Sequence, residues 1–288
     1  MRTEAIDSEL TRVRESGPLR EVKIPPCPEL LTRLRKVMEA REPDLAEVQA
    51  IASADVAMGA TLLRSANSPV HLGDGAPCVS VGQALTRLGL QHSVQLMRFF
   101  LLRHALPVRN SALQRFWERS QKRALAMQFL AQRVPGLPVD LAGSHGLFCH
   151  VGMPVMLQQL RGYGATLVEA AARIDRPFVA TEDANHRSNH AVVGALTVRV
   201  WGLPRTLMAS VRLHHDFSVI NDRGIEPDVA LLVAAGLVAE QLMRLHERLT
   251  PDADWQQHGE AVLEWLQLDD TTVQEWADQL EPLLDEIT

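Results

Sequence analysis

The histidines of this chain are its clearest candidates for chemistry, because imidazole nitrogens bind divalent transition-metal ions. Six of the eleven form close pairs along the chain: His145 and His150, His186 and His190, and His214 and His215. We predict a helix over residues 186–201, and the four-residue spacing would place His186 and His190 on one of its faces. Two interpretations follow. We favour satisfied polar residues lining a pocket; the alternative is a rearranged metal site that uses His150, His190, His214 and Cys149.

A second candidate is a basic stretch over residues 98–133, which has eight basic residues and a single acidic one. Arg115, Arg119 and Lys122 follow helical spacing and would share one helix face, with Arg123 next to them. Such a face could bind an anionic ligand, a nucleic acid or an acidic protein. We favour a solvated face, or one neutralised by the acidic end of the chain. Nucleic acid is disfavoured because the stretch has no interleaved aromatic residues and no known reader motif.

The acidic end of the chain is residues 251–288, with eleven acidic residues and no Lys or Arg. Because the formal net charge of the whole chain is only −6, the rest is mildly basic. Apolar residues recur at helical spacing in this segment and predict amphipathic helices over 256–267 and 271–286 with acidic outer faces. We expect these helices to pack on the rest of the chain; an acidic docking surface for a partner protein is the alternative.

The elements that position these residues are predicted to be helices throughout. Only 5% of the residues are aromatic, and apolar residues recur at intervals of three and four instead of alternating. The predicted helices include residues 29–40, 56–66, 92–106, 111–134, 139–160, 166–174, 204–215 and 227–248. Pro25, Pro26 and Pro28 exclude helix at their positions. The chain is therefore predicted to be all-α.

No membrane insertion is expected, since the longest apolar run, residues 229–239, has eleven residues and a bilayer requires about 20. This run is instead predicted to be a helix buried in the core or in a homodimer interface. The three cysteines lack a paired spacing, which argues against a disulfide framework. The N-terminus also lacks the features of a signal peptide. We therefore expect a cytoplasmic protein.

Several short segments, taken in their order and spacing, carry a family resemblance. They are residues 24–28 (IPPCP), 62–68 (LLRSANS), 79–85 (VSVGQAL), 88–90 (LGL), 116–120 (FWERS), 146–152 (GLFCHVG), 190–204 (from His190 to WGLP) and 213–216 (LHHD). In combination they resemble the HDOD family, a bacterial signalling branch of the HD-domain superfamily. The resemblance predicts an HDOD-like domain over residues 22–217. Residues 1–21 are then an N-terminal extension, and residues 218–288 form a C-terminal helical extension.

The HD superfamily implies a helical bundle around a phosphohydrolase metal site, held by a histidine, an adjacent His-Asp pair and a later aspartate. By this resemblance, Arg119 stands in place of the first histidine, and Cys149 and His150 stand in place of the pair. Arginine cannot bind a metal, and the lost aspartate removes a carboxylate that would hold the ion. The resemblance therefore implies a degenerate pocket without metal, other cofactor or catalytic residue. Its residues would be Arg119, Cys149, His150, His190, His214, His215 and Asp216.

The residues and the resemblance together predict a non-catalytic regulatory protein that acts by binding a protein partner in bacterial signalling. One alternative is a divergent metal-dependent phosphohydrolase that uses the relocated histidines. Another is a nucleic-acid-associated regulator that uses residues 98–133. Metal content and salt-sensitive nucleic-acid binding distinguish these three hypotheses.

Overall fold

The computed structural model describes residues 2–16, 19–20, 22–73, 75–173 and 175–287, which contain helices and no β-strand. The predicted all-α class is therefore confirmed. The α-helices of the described residues are α1 (Arg2–Ser16), α2 (Glu29–Met38), α3 (Leu45–Ser53), α4 (Val56–Ala66), α5 (Pro69–Leu72), α6 (Val81–Leu88), α7 (Leu90–Ala105), α8 (Phe116–Ala131), α9 (Val139–Phe148), α10 (Gly152–Gln159), α11 (Tyr163–Ala172), α12 (Phe178–His186), α13 (His190–Val200), α14 (Arg205–Leu213), α15 (Pro227–His246), α16 (Ala253–Leu266) and α17 (Asp270–Asp285).

The chain divides into two compact units. The smaller unit comprises residues 26–107 and contains α2–α7; the larger unit comprises residues 1–25 and 108–288 and contains α1 and α8–α17. Both predicted extensions, residues 1–21 and 218–288, therefore lie within the larger unit. The boundaries of the HDOD-like domain at residues 22 and 217 remain a prediction.

In the smaller unit, side chains at the helix starts determine where the helices begin. Asp44, Asp55 and Ser80 accept hydrogen bonds from backbone N–H groups in the first turns of α3, α4 and α6. These N–H groups have no partner within the helix itself, so a side-chain acceptor stabilises each start by about 1 kcal/mol. The apolar faces of the helices then meet in a core that includes Leu34, Val48, Ile51, Met58, Leu62 and Leu102.

The central element of the larger unit is α15, which packs against α8, α9, α14, α16 and α17. Most of its apolar side chains are buried, among them Val229, Leu232 and Val238. Within the described ranges, α15 is also the one helix long and apolar enough to cross a membrane, but 67% of that apolar stretch is buried inside the protein. The predicted buried helix at 229–239 is thus part of the core; a homodimer interface remains a prediction.

Two glycines allow helices of the larger unit to approach each other at backbone distance. A Cβ atom on Gly152, which begins α10, would lie 2.1 Å from the carbonyl oxygen of His190, which begins α13. A Cβ atom on Gly146 of α9 would lie 2.6 Å from the carbonyl oxygen of Arg123 on α8. Both distances are far too short for a real side chain, so only glycine fits at these positions. The contact at Gly152 brings His150, two residues earlier, next to His190.

The helix predicted over residues 139–160 is two helices. α9 ends at Phe148 and α10 begins at Gly152, with a turn over residues 149–151 between them. Pro154 explains the break, because proline has no N–H to donate and its ring clashes with the carbonyl four residues earlier. It is tolerated in the first turn of a new helix, where that N–H would have no partner. The interruption places His150 in a turn.

The helix predicted over residues 186–201 is also wrong at its start. α12 ends at His186, and Arg187 follows with a left-handed φ of 56°. α13 begins only after Asn189, whose side-chain oxygen accepts a hydrogen bond from the backbone N–H of Val192 at 3.1 Å. Since a helix end and a new helix start lie between them, His186 and His190 do not share a helix face.

The two predicted amphipathic helices near the C-terminus are present as α16 and α17, and both pack against α15. Their buried apolar residues are Val262, Leu263 and Leu266 on α16 and Val273, Leu280 and Leu284 on α17. Acidic residues such as Glu260, Glu264, Glu275 and Glu281 are exposed. The segment is therefore an integral part of the larger unit that presents acidic side chains to solvent.

We predict that Gly152→Ala destabilises the protein by about 3 kcal/mol, because the new methyl group would overlap the backbone of α13. The matched control is Gly164→Ala in α11, where the nearest atom is a side-chain nitrogen of Asn110 at 3.3 Å. Urea unfolding of both variants measures the difference. Equal midpoints for the two would contradict the backbone contact at Gly152.

Candidate metal-binding site

Four histidines of the larger unit converge on one point. One ring nitrogen from each of His150, His190, His214 and His215 lies within 4.8 Å of the other three. The Nε2 atom of His190 is 3.1 Å from Nε2 of His214 and 3.2 Å from Nε2 of His215. His150 reaches the group from the turn between α9 and α10, His190 from the start of α13, and the other two from the end of α14.

Three of these rings are held by hydrogen bonds from Nδ1. His190 bonds to Oε2 of Glu182 at 2.6 Å, and His214 bonds to the carbonyl oxygen of Val211 at 2.7 Å. His215 bonds to Oδ2 of Asp254 at 2.6 Å. Carbonyl and carboxylate oxygens accept hydrogen bonds and do not donate them, so the proton in each pair belongs to Nδ1. In a neutral ring this leaves Nε2 with a lone pair, directed at the centre of the cluster.

The converging lone pairs repel one another unless a cation lies between them. Burial lowers the pKa of His190 and of His214 below its ordinary value, which favours their neutral form. Burial and the nearby positive charge of Arg123 lower the pKa of His150 in the same direction. Neutral imidazoles are the form that binds metals, so these lowered pKa values favour the metal-binding form of His150, His190 and His214.

The residues fit a transition-metal ion. Two nitrogen ligands of a tetrahedral ion, each about 2.0–2.1 Å from it, lie about 3.3 Å apart, close to the 3.1 and 3.2 Å between the histidine nitrogens. Imidazole ligands suit zinc, copper, iron or nickel and do not suit magnesium or calcium. An ion would be held by His150, His190, His214 and His215. This geometry favours a rearranged metal site, the alternative interpretation of the sequence, but with a different fourth ligand.

Not every residue predicted for the pocket belongs to this group. Cys149 is buried, and its thiol points to the carbonyl oxygen of Gly146 at 3.7 Å. Burial raises the pKa of Cys149, so it stays a thiol and is a poor metal ligand. Asp216 accepts hydrogen bonds from the backbone and side chain of Ser218 and caps a short 3₁₀ helix. His215 therefore takes the place that the sequence analysis gave to Cys149.

The basic residues of α8 are neutralised by acids of the same chain. Arg119 donates hydrogen bonds to Glu240 and to Glu247. Arg123, only 4% exposed, pairs with Glu240 at 2.8 Å. Burial would raise the pKa of Glu240, but Arg123 and Arg119 lower it to about 2. The resemblance assigns the position of a metal ligand to Arg119. In the structure, Arg119 instead forms ion pairs that link α8 to the C-terminal part of α15 and the residue after it.

The other two basic residues of that predicted surface are also paired. Arg115 lies 2.7 Å from Glu118 and 3.0 Å from Glu247, and Lys122 lies 2.9 Å from Glu118. The Arg115 hydrogen bond lowers the pKa of Glu118 to about 2, so the carboxylate stays charged. The sequence favoured a solvated face, or one neutralised by the acidic end of the chain, but the acids that pair with these residues precede residue 251. They are supplied by α8, α15 and the residue after α15, not by the acidic end of the chain.

Glu182 is one of two residues that orient the histidines and that the sequence did not reveal; Asp254 is the other. The side chain of Glu182 is fully buried, and its two oxygens accept from His190 and from the hydroxyl of Tyr163. Burial would raise the pKa of Glu182, but the hydrogen-bonded His190 lowers it. Buried carboxylates are rare without partners. An acidic residue on a helix just before a candidate ligand was the available signal, but α12 was not among the predicted helices.

The remaining histidines of the close pairs have local roles. His145 is buried and bonds to the hydroxyl of Ser210 at 2.9 Å, and burial with the charge of Arg123 lowers its pKa to about 3. His186 bonds to the hydroxyl of Thr166 at 2.8 Å. Neither ring joins the four-histidine cluster.

Comparison with known protein families finds that residues 24–217 match the model of the HDOD domain. An uncharacterized protein from Treponema pallidum (strain Nichols) is 24% identical over 213 residues, which are 73% of this chain and 41% of that protein. The chain therefore spans less than half the length of this relative.

Two solved structures share the fold. A putative signal transduction protein from Marinobacter aquaeolei VT8 has 20% identity and a TM-score of 0.75, and the match covers 100% of this chain and 65% of that one. A putative phosphohydrolase from Shewanella amazonensis SB2B has 20% identity and a TM-score of 0.71, with coverage of 94% and 97%. At this identity the likeness establishes the helical fold and no activity. Together with the family match over more than half of the residues, it leads to the conclusion that this chain belongs to the HDOD family.

Proposed function

We propose that this protein is a non-enzymatic signalling protein of the bacterial cytoplasm that acts by binding a protein partner. We also propose that the four-histidine cluster of His150, His190, His214 and His215 holds one transition-metal ion. The observation that carries the proposal is the donor set: four imidazoles and no carboxylate converge on one point among the described residues. The ion is then a structural and regulatory element of the domain.

A closed set of ligands argues against hydrolysis. Structural metal sites use four protein ligands, whereas catalytic sites keep a position open for water or substrate. His150, His190, His214 and His215 supply four ligands by themselves. A metal bound at an open site lowers the pKa of water and polarises a phosphoryl oxygen. With all four positions filled, neither effect is available to a substrate.

The surroundings of Arg119 support the same proposal. A hydrolase that binds phosphate needs cations able to contact the substrate. Here Arg119 and Arg123 are held by Glu240 and Glu247, so their charge is satisfied within the protein. The same ion pairs give no support to a nucleic-acid-associated regulator that uses residues 98–133.

A metal-dependent phosphohydrolase is the second candidate, and one observation favours it. His150 and His215 are partly exposed, whereas His190 and His214 are buried. Solvent therefore reaches one side of the cluster, and a water molecule could replace one of the two exposed ligands. The protein from Shewanella amazonensis that shares the fold bears the name of a phosphohydrolase.

Metal content tests the proposed site. We expect protein purified without a histidine tag to bind one Zn²⁺ ion per chain. We expect the His190→Gln variant to lose this ion, because Nε2 of His190 lies closest to the Nε2 atoms of both His214 and His215. His104→Gln is the matched control, because His104 is exposed and lies in the smaller unit. Elemental analysis and dye competition measure both. Wild type that binds no transition metal, or His190→Gln that binds as wild type does, would rule the site out.

Hydrolysis separates the two candidate functions. We expect the protein loaded with Zn²⁺, Mn²⁺, Fe²⁺ or Ni²⁺ to cleave bis(p-nitrophenyl) phosphate no faster than the metal alone, because four protein ligands leave no open position. Metal-dependent turnover that disappears in His190→Gln would establish the phosphohydrolase instead. Affinity capture from the native host, with the metal-loaded protein as bait, tests for the protein partner.

The ion-pair network yields a prediction on stability. Glu240→Gln leaves Arg123 buried without its counter-charge, so we expect a loss of about 3 kcal/mol in the free energy of unfolding at pH 7. Because the pKa of Glu240 is lowered from 4.5 to about 2, its contribution is complete above pH 4.5 and declines as the pH falls towards 2. Urea unfolding across this range measures both effects.

The control is Glu264→Gln, an exposed carboxylate on α16, which should change stability by less than about 0.5 kcal/mol. A loss for Glu240→Gln no greater than that of the control would mean that Arg119 and Arg123 do not depend on Glu240. Stabilisation of the wild type by inorganic phosphate would then identify them as an anion-binding surface.

A further inference from the structure

One ligand of the four-histidine cluster is oriented from outside the HDOD domain. Glu182 and Val211, which hold His190 and His214, lie within the family match of residues 24–217. Asp254, which holds His215 at 2.6 Å, lies beyond it on α16. His215 and Asp254 are 15% and 16% exposed, so this contact is largely shielded from solvent.

The position of Asp254 depends on how α16 docks. Asp252 accepts a hydrogen bond from the backbone N–H of Trp255 at 2.9 Å and starts the helix, which places Asp254 in its first turn. Val262 and Leu263, further along, are buried, and α16 packs on α15. The ring of His258 lies 4.9 Å from that of Phe217, two residues after His215. Docking of α16 and the contact with His215 therefore form together.

We propose that Asp254 is a positioning residue for the ion held by the four-histidine cluster, so that metal binding and docking of α16 stabilise each other. This inference rests on the proposed metal binding. A metal on Nε2 withdraws electrons from the ring and makes Nδ1–H a stronger donor, while a carboxylate at Nδ1 makes Nε2 a better ligand. The coupling is reciprocal: whatever factor Asp254 adds to metal affinity, the metal adds to the docking equilibrium of α16.

The coupling assigns a role to the acidic end of the chain. Residues 251–288 carry eleven acidic residues and no basic one, and α16 and α17 present several of them to solvent. Loss of the ion weakens the attachment of the first turn of α16 and changes how this acidic surface is presented. The acidic surface is thereby a metal-dependent output of the domain, suited to a partner with a basic face.

The test compares Asp254→Ala with Glu260→Ala in the chain of 288 residues. Both remove one acid from α16, but Glu260 is exposed. We expect Asp254→Ala to weaken Zn²⁺ affinity by about 10- to 100-fold and Glu260→Ala to leave it unchanged, as measured by dye competition. Hydrogen exchange of the α16 amides should slow on Zn²⁺ addition in the wild type and in Glu260→Ala, and respond little in Asp254→Ala.

Each outcome decides something different. If wild type binds neither Zn²⁺ nor another transition-metal ion, the metal site itself fails and this inference fails with it. If Asp254→Ala binds Zn²⁺ as tightly as wild type, or Zn²⁺ leaves α16 exchange unchanged in the wild type, the metal site stands and the coupling is refuted. Should Asp254→Ala not fold, Asp254→Asn replaces it. The amide keeps the size and one acceptor but not the charge, so affinity between those of wild type and His215→Gln is expected.

Discussion

Three histidines of the cluster donate their Nδ1 protons away from its centre. These hydrogen bonds fix the positions of α12, α14 and α16 relative to the cluster. His190 requires a carboxylate on α12, His214 a carbonyl within α14, and His215 a carboxylate on α16. A ring that turned would lose its hydrogen bond to its acceptor, at a cost of about 1 kcal/mol. Ring orientation is therefore a matter of stability as well as of binding, and the inward lone pairs are its consequence.

The charged residues of α8 have a structural role. A buried guanidinium is stable only with a counter-charge nearby, and Glu240 and Glu247 provide it for Arg119 and Arg123. These two charges of α8 are used internally, between α8 and the end of α15. The acids that neutralise these charges precede the acidic end of the chain, and α16 and α17 present several carboxylates to solvent.

Most helices could be predicted from the sequence. Capping residues such as Asp44, and the Gly and Pro residues that end helices, act on backbone within a few residues of themselves. These local signals failed at α12, whose buried face includes Thr181 and Glu182. A polar buried face has no hydrophobic period, so pattern analysis cannot detect it. Asp254 escaped notice for a related reason: among eleven acids in one segment, nothing in the local sequence distinguishes the one that contacts a histidine.

The sequence by itself determined the all-α class and the set of candidate histidines. Only the tertiary structure decided that His150, His190, His214 and His215 meet, while His186 and Cys149 do not join them. The reason is physical. Helix propensity and capping act over one or two turns, whereas the meeting of these rings depends on distant backbones packing closely, as at Gly152 against His190. A close approach of this kind is a property of the packed unit and not of any segment alone.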